Sequence, residues 1–457
     1  MLVIPGLFSL LVFILARPFD FVPALREIPF LYIFFGLAVL GYLADLAQGK
    51  TRWQSGPLLS WVIAFFGWCV LNVIVRASWT LSTAIVSLLI TVSLYFLSAH
   101  GITTLAGFSR LATLFLGCTV AISAVCVHLS QQPLQCVELD PSGVRSGPVK
   151  PDGRSCEGAL ECYEDAPDLE TEYGCERLGL GGVSTIQGRV RYLGVLHDPN
   201  EAALTVSLGI PLAIAGYQRR RSLWRLAVLG VAVVLAGITV VASQSRGGQL
   251  VFLAVLAVYF LRRYRWKGMG FMVVMGLPVL LLGGRSGGSA EESATERLDC
   301  IAEGLQMFGR TPVLGVGFGQ FTEYHPLTAH NSFVLAPAEL GVFGMVTWSM
   351  LLWIAMKTSW VAINTLGGAD TEEARTWAMA MFATGAGVVV GVMFLSFNYH
   401  YVFWSFLGLA GALHAAVARR HPGWRVSVGG KDVALVILGN SVLLSTLYAY
   451  ARLKGVG

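Results

Sequence analysis

The chain has 457 residues, 55% of them hydrophobic and 13% charged, with a mean hydropathy of +0.66 and a formal net charge of +5. A soluble globular domain carries about 25% charged residues, so this composition excludes one and indicates a polytopic membrane protein. The basic residues fall in short clusters between apolar runs instead of on one face, which excludes a nucleic-acid footprint and makes the clusters markers of membrane orientation.

The length would suit about three soluble domains of ~150 residues. Spans of about 20 apolar residues with short connectors use it up instead as a single integral domain over 1–457. The N-terminus, MLVIPGLFSLLVFILARPFD, has no basic residue before its apolar run and no small-residue cleavage pattern, so it is expected to be a first span and not a removable signal peptide. Further runs near 29–47, 57–75, 81–98 and 104–129 are each long enough to cross a bilayer, or nearly so with tilt.

From 130 to 191 the character changes to polar and acidic. Glu157, Glu161, Glu164, Asp165, Asp168, Glu170, Glu172 and Glu176 outnumber Arg145, Lys150, Arg154 and Arg177. Cys136, Cys156, Cys162 and Cys175 all lie in this loop, whereas Cys69, Cys118 and Cys126 sit in apolar runs. Two disulfides fit, in any of three pairings. A zinc site lacks a CxxC spacing and a loop histidine, so disulfides are expected, and with them an oxidising compartment: the periplasm or cell exterior.

Runs near 199–217 and 223–243 are joined by Arg219, Arg220, Arg221 and Arg225, and runs near 247–264 and 268–283 by Arg262, Arg263, Arg265 and Lys267. Arg419, Arg420, Arg425 and Lys431 form a third cluster. The positive-inside rule puts all three in the cytoplasm. Alternation then puts the 130–191 loop, SQSRGG, a second loop over 284–330 and FNYHYVF outside. In that second loop Leu298, Ile301, Ala302, Leu305 and Phe308 recur at helical spacing while Arg297, Glu303 and Gln306 point elsewhere, predicting an amphipathic helix on the membrane surface. Runs near 331–356, 374–397, 399–418 and 432–451 complete an all-α polytopic membrane protein with 12–13 transmembrane helices and two large extracytoplasmic loops.

The polar residues at the outer helix mouths are the candidates for chemistry. Asp198, Pro199 and Glu201 form a capping-box-like helix start, whose positive end would lie beside Arg191, with Asn200 and His197 as further donors. Arg246 sits in a turn at the outer interface. An arginine held near a bilayer centre costs about 2.5–3.5 kcal/mol, so such a residue usually faces a partner or cavity, and Gly247 and Gly248 leave room for a ligand. Asn331 can cap the helix that begins at Ser332, which places His330 just outside a positive helix end, where the imidazole would tend to stay neutral and able to act as a base.

Glu339 could orient a neighbour or pair within the bundle; on a straight helix it would face away from His330, but Pro337 makes a bend plausible. The glycines of GVGFG follow no strand and precede no GK[ST], so a tight positioning loop fits them better than a nucleotide loop. His325, His330 and His400 show no HxxxH or HExxH spacing, and no metal is expected.

Four motifs occur in order: R-x-x-G-x-x-x-D-P-N at Arg191–Asn200, S-R-G at Ser245–Gly247, P-x-x-G-x-G-x-G at Pro312–Gly319, and H-N followed by E-L-G-x-x-G from His330 to Gly344. Together they resemble the O-antigen ligase and O-antigen polymerase superfamily, over a motif region of 189–356. The resemblance implies a GT-C-like, inverting, metal-independent glycosyltransferase without a cofactor. Its donor would be a polyprenyl-pyrophosphate-linked oligosaccharide, and its setting the bacterial inner membrane with the active site facing the periplasm.

Carried onto this chain, the resemblance makes His330 the base for the acceptor hydroxyl. Arg191 and Arg246, assisted by Arg189, would hold the pyrophosphate, with Asn331, Asp198, Asn200 and Glu339 in support. The acceptor would be a glycan or a lipid A core, with membrane lipids and polysaccharide export and chain-length proteins as further partners. A polymerase is preferred over a ligase acting on lipid A core or protein, because nothing in the chain marks either of those acceptors. A lipid-linked sugar transporter or flippase is the reading from another class. Such proteins usually show broken helices or repeats with ionisable groups near the midplane, whereas here the polar groups gather at outer helix ends. A membrane subunit without turnover is the third.

Overall fold

Apolar runs that enter a bilayer must satisfy their backbone groups internally, and a helix does so within one segment. The computed structural model describes residues 1–51, 56–139, 151–164, 171–284 and 288–456. Its helices are α1 Val3–Leu15, the single turn α2 Pro18–Phe21, α3 Phe30–Ala47, α4 Pro57–Arg76, α5 Leu81–Gly101, α6 Leu105–Ser130, α7 Pro199–Arg219, α8 Leu223–Ala242, α9 Arg246–Tyr264, α10 Lys267–Leu282, α11 Gly288–Arg310, α12 Ser332–Thr365, α13 Glu372–Gly391, α14 Tyr401–Arg420 and α15 Gly430–Leu453.

Each predicted apolar run is a helix, and the protein is an all-α polytopic membrane protein. Among the described residues eight helices are long and apolar enough to cross a membrane by length and composition: α3, α4, α5, α6, α8, α12, α14 and α15. The helices α1 and α10 are apolar but shorter. α7 carries more polar residues, and 16 of its 21 are buried. A helix surrounded by protein can keep polar groups that a lipid-facing one cannot.

The chain divides into two compact units, one of residues 1–4, 39–110 and 286–457, the other of 5–38 and 111–285. In the first, α12 packs against α4, α13, α15 and α11, and α14 lies along α5. In the second, α7 packs against α8 and α9, and α9 against α10.

The two polar loops hold more order than their composition suggests. In the second unit, β1 Leu134–Glu138, β2 Pro151–Ser155 and β3 Tyr173–Arg177 form an antiparallel sheet in the order β2-β1-β3. Disulfides join Cys136 to Cys162 and Cys156 to Cys175, so of the three possible pairings this is the one formed. The half-cystines and Tyr173 make a small core of their own. Burial raises the Asp152 carboxyl, but hydrogen bonds from Arg154 outweigh it and hold the group below its usual range. Arg145, Lys150, Asp165, Asp168 and Glu170 lie outside the described residues.

In the other loop α11 is the amphipathic helix, and its apolar stripe is covered by protein. Met307, with Ile301, Leu305 and Phe308 beside it, packs against Val334, Leu335 and Ala338 of α12 and Leu444 of α15.

Candidate functional site: a broken helix and two helix mouths

In the first unit the candidate residues gather around a break in α12. Gly341 has φ 66° and ψ −165°, which interrupts the helix. Three carbonyls next to the break are met from outside the helix. Ala338 O accepts from Val316 N at 2.8 Å, Glu339 O from Gly317 N at 3.0 Å, and Leu340 O from the Trp68 indole at 2.8 Å. On the far side of the break Val342 N donates to Pro312 O at 2.8 Å. Each such group left unmet in an apolar setting would cost several kcal/mol.

Glycine is needed on both sides of this joint. A Cβ on Gly341 would run into the Val313 carbonyl, and one on Gly315 into the backbone of Glu339; both residues have positive φ. The P-x-x-G-x-G-x-G and E-L-G-x-x-G motifs are therefore two halves of one joint.

Glu339 fastens the joint to its surroundings. It is buried, with Oε1 accepting from Phe321 N at 3.1 Å and Oε2 from the Tyr399 hydroxyl at 2.9 Å. Asn72 of α4, which the sequence reading passed over, grips the loop from the other side. Its Oδ1 accepts from Phe318 N at 2.8 Å and its Nδ2 donates to Leu314 O at 2.5 Å, and it is fully buried. The signal for it was a lone amide inside the apolar run PLLSWVIAFFGWCVLNVIVR, since intramembrane polar residues are rare and usually have a partner. Asn72→Ala leaves that amide and that carbonyl unmatched, which costs about 1–3 kcal/mol. A lowered thermal midpoint of the purified protein is the expected readout, and an unchanged midpoint would show that the loop holds without Asn72.

His330 stands where this loop meets α12. Its φ of 46° lies in the left-handed region, a conformation costing roughly 1–3 kcal/mol that persists only where neighbours impose it. Those neighbours are Asn331 and Ser332. Asn331 caps α12 by accepting from Phe333 N at 2.9 Å and Val334 N at 3.2 Å, and donates to Met393 O at 3.1 Å. Ser332 N donates to Val392 O at 2.7 Å, its Oγ donates to Leu395 O at 2.7 Å, and Asn398 Nδ2 donates to Ser332 O at 3.1 Å. The His330 side chain remains half-buried.

The second unit holds the arginines. Asp198 caps α7 with the expected capping box, its Oδ1 accepting from Asn200 N at 2.6 Å, while Glu201 accepts from Asp198 N at 3.4 Å. Asn200 Oδ1 accepts from Arg189 Nη2 at 3.3 Å and from Ser245 Oγ at 2.6 Å. Ser245 in turn caps α9 by accepting from Gly248 N at 2.9 Å. The N-termini of α7 and α9 are thus tied side by side, and Arg246, the first residue of α9, is exposed there. Paired helix starts present donors and a positive field to an anion.

Arg189 is buried and also donates to Ser243 O at 3.0 Å. Arg191 is only 2% exposed, and its guanidinium donates to Ser184 O at 2.8 Å and Ser184 Oγ at 3.0 Å. The disulfide-bearing loop supports this segment: Glu176 accepts from Thr185 Oγ1 at 2.5 Å and from the amides of Gln187 and Gly188 at 2.5 and 3.1 Å. The structure therefore brings Arg189, Asn200 and the Arg246 turn together, and holds Arg191 against Ser184.

Two other constellations are accounted for differently. Cys300 Sγ lies 3.8 Å from His325 Nδ1, but burial, with Asp299 and Glu296, pushes the thiol up to about 11, so it is protonated at neutral pH and is no nucleophile. The sulfurs of Cys136, Cys156 and Cys162 lie within 4.8 Å of one another among the described residues, and all three are in disulfides.

Residues 231–349 match the family described as O-antigen ligase. No curated protein matches the chain. The matched region takes in the Arg246 turn, the glycine loop, His330 and the break in α12, and leaves Arg189, Arg191, Asp198 and Asn200 outside it. Residues 231–349 of this multi-pass membrane protein are therefore similar to the O-antigen ligase family.

Proposed function

We propose that the protein is a glycosyltransferase that moves a polyprenyl-pyrophosphate-linked glycan onto an acceptor hydroxyl at the periplasmic face of a bacterial inner membrane, acting as a polysaccharide polymerase. The observation that carries the reading is the exposed Arg246 at the head of α9, inside the region matched to the O-antigen ligase family, next to Ser245, which donates to Asn200 at the start of α7 as Arg189 does.

In the proposed reaction the His330 imidazole takes the proton of the acceptor hydroxyl as its oxygen attacks the anomeric carbon of the donor. The bond from that carbon to the pyrophosphate oxygen breaks with inversion, and its electron pair leaves on the polyprenyl pyrophosphate. Arg246 offsets the charge developing on that leaving group. Arg189 and Arg191 act from within the protein, by holding the segment that leads into α7. Asp198, Asn200, Asn331 and Glu339 fix the helix starts and the loop, and the scheme uses no metal and no cofactor. Proteins of polysaccharide export and chain-length control are the proposed partners.

The second reading, a ligase that transfers finished polymer to lipid A core or protein, is favoured by the family's own description. Glycans from cells lacking the protein separate the two. Single repeat units on their usual carrier are expected. Long polymer accumulating on the polyprenyl lipid would establish the ligase instead, and donor confined to the cytoplasmic leaflet would establish a flippase.

A further inference from the structure

At the opposite ends of α7 and α9 from the arginine site, two turns of the second unit carry cations with no acidic residue among them. One is GYQRRRSLWRL over 216–226, between α7 and α8, and the other is YFLRRYRWKGMG over 259–270, between α9 and α10. The two turns are bonded together. The Tyr259 hydroxyl donates to Gln218 Oε1 at 3.0 Å, and Gln218 Nε2 donates to the Tyr264 hydroxyl at 3.5 Å.

Arg220, Arg221, Arg262, Arg263, Arg265 and Lys267 are all exposed on this face. Arg225 is set apart, since its Nη1 donates to Gly216 O at 2.9 Å and caps α7. The second turn is tight: Arg265 has φ 52° and its carbonyl accepts from Gly268 N at 2.9 Å. Trp224 and Trp266, 76% and 82% exposed, flank the cations.

We infer that these two turns form one binding surface for the anionic headgroups of membrane phospholipids. Exposed tryptophans beside cations are the residues that anchor at a membrane–water interface, and clustered Lys and Arg there recognise acidic lipid. Arg262 and Arg263 in the last turn of α9, and Arg220 and Arg265 at the C-caps of α7 and α9, also face the negative ends of those helices, but that field accounts for neither the exposed tryptophans nor Arg221 and Lys267. The basic loop at 419–431 is built otherwise. Arg419 there donates to Thr103 Oγ1 at 2.8 Å, and Asp432, next in sequence to Lys431, is paired with Lys357 at 2.6 Å.

Titration of the purified full chain with cardiolipin and, separately, with phosphatidylcholine, read by native mass spectrometry, tests the surface. The wild type is expected to hold cardiolipin at least ~10-fold more tightly, with the preference shrinking as salt rises. A variant with Arg262, Arg263, Arg265 and Lys267 changed to Gln is expected to lose that preference. Changing the three arginines to Lys should keep it, and so should a control with Arg420, Arg425 and Lys431 changed to Gln. Equal binding of the two lipids by wild type overturns the inference, as does an equal loss in the Gln variant and the control. Loss in the charge-preserving variant overturns it as well.

Discussion

Replacing His330 is expected to lower glycan transfer by roughly 10²- to 10⁴-fold, the usual contribution of a positioned general base. Alanine alone is an imperfect test, because residue 330 sits at φ 46° and alanine tolerates that region poorly. Asparagine adopts it readily and cannot act as the base, so His330→Asn keeps the backbone while removing the chemistry. Both variants should insert into the membrane as wild type does, since Asn331 and Ser332, and not the imidazole, make the bonds to Met393, Val392 and Leu395. Near-normal turnover in His330→Asn would remove the residue from the mechanism.

Arg246→Ala should cost roughly 10²- to 10³-fold, the magnitude expected when one donor to a developing anion is lost. Arg246→Lys should recover part of it, because lysine restores the charge but not the two-pronged donor geometry. The residue is exposed at the first position of α9, so the loss should come without a fall in thermal stability. Arg191→Ala is a weaker probe. It empties a buried guanidinium bonded to Ser184, and lost activity there would not separate chemistry from folding. An active, equally stable Arg246→Ala would refute the pyrophosphate role.

What was legible in the sequence is what depends on near neighbours. Runs of about 20 apolar residues determine helices locally, and a capping box needs only Asp198, Pro199 and Glu201, so both follow from the string of residues alone. The four loop cysteines announced disulfides, but the pairing of Cys136 with Cys162 depends on a sheet whose strands lie up to 43 positions apart, and the acidic loop carries no alternating pattern to reveal it. The amphipathic stripe of α11 was visible, whereas the surface covering it was not: lipid and the faces of α12 and α15 are equally apolar to a periodicity argument.

The same limit hid the joint in α12. Pro337 signalled a bend and the glycines of GVGFG signalled a loop, yet their relationship lies in backbone bonds from Val316 and Gly317 to carbonyls more than 20 residues on. Asn72 is 242 residues from the Leu314 carbonyl that it holds. Among the arginines, spacing within the family motif selects Arg191, while burial separates Arg191 from the exposed Arg246; burial is a property of the packed chain.

The central claim is that the protein itself breaks the bond between glycan and polyprenyl pyrophosphate, with His330 as the base. Wild-type protein and His330→Asn, each reconstituted in liposomes with a labelled lipid-linked oligosaccharide, test it directly. Wild type is predicted to release polyprenyl pyrophosphate in step with new glycosidic bonds, and His330→Asn to release almost none. Donor that crosses the bilayer uncleaved by wild type, or equal release by both proteins, would contradict the account.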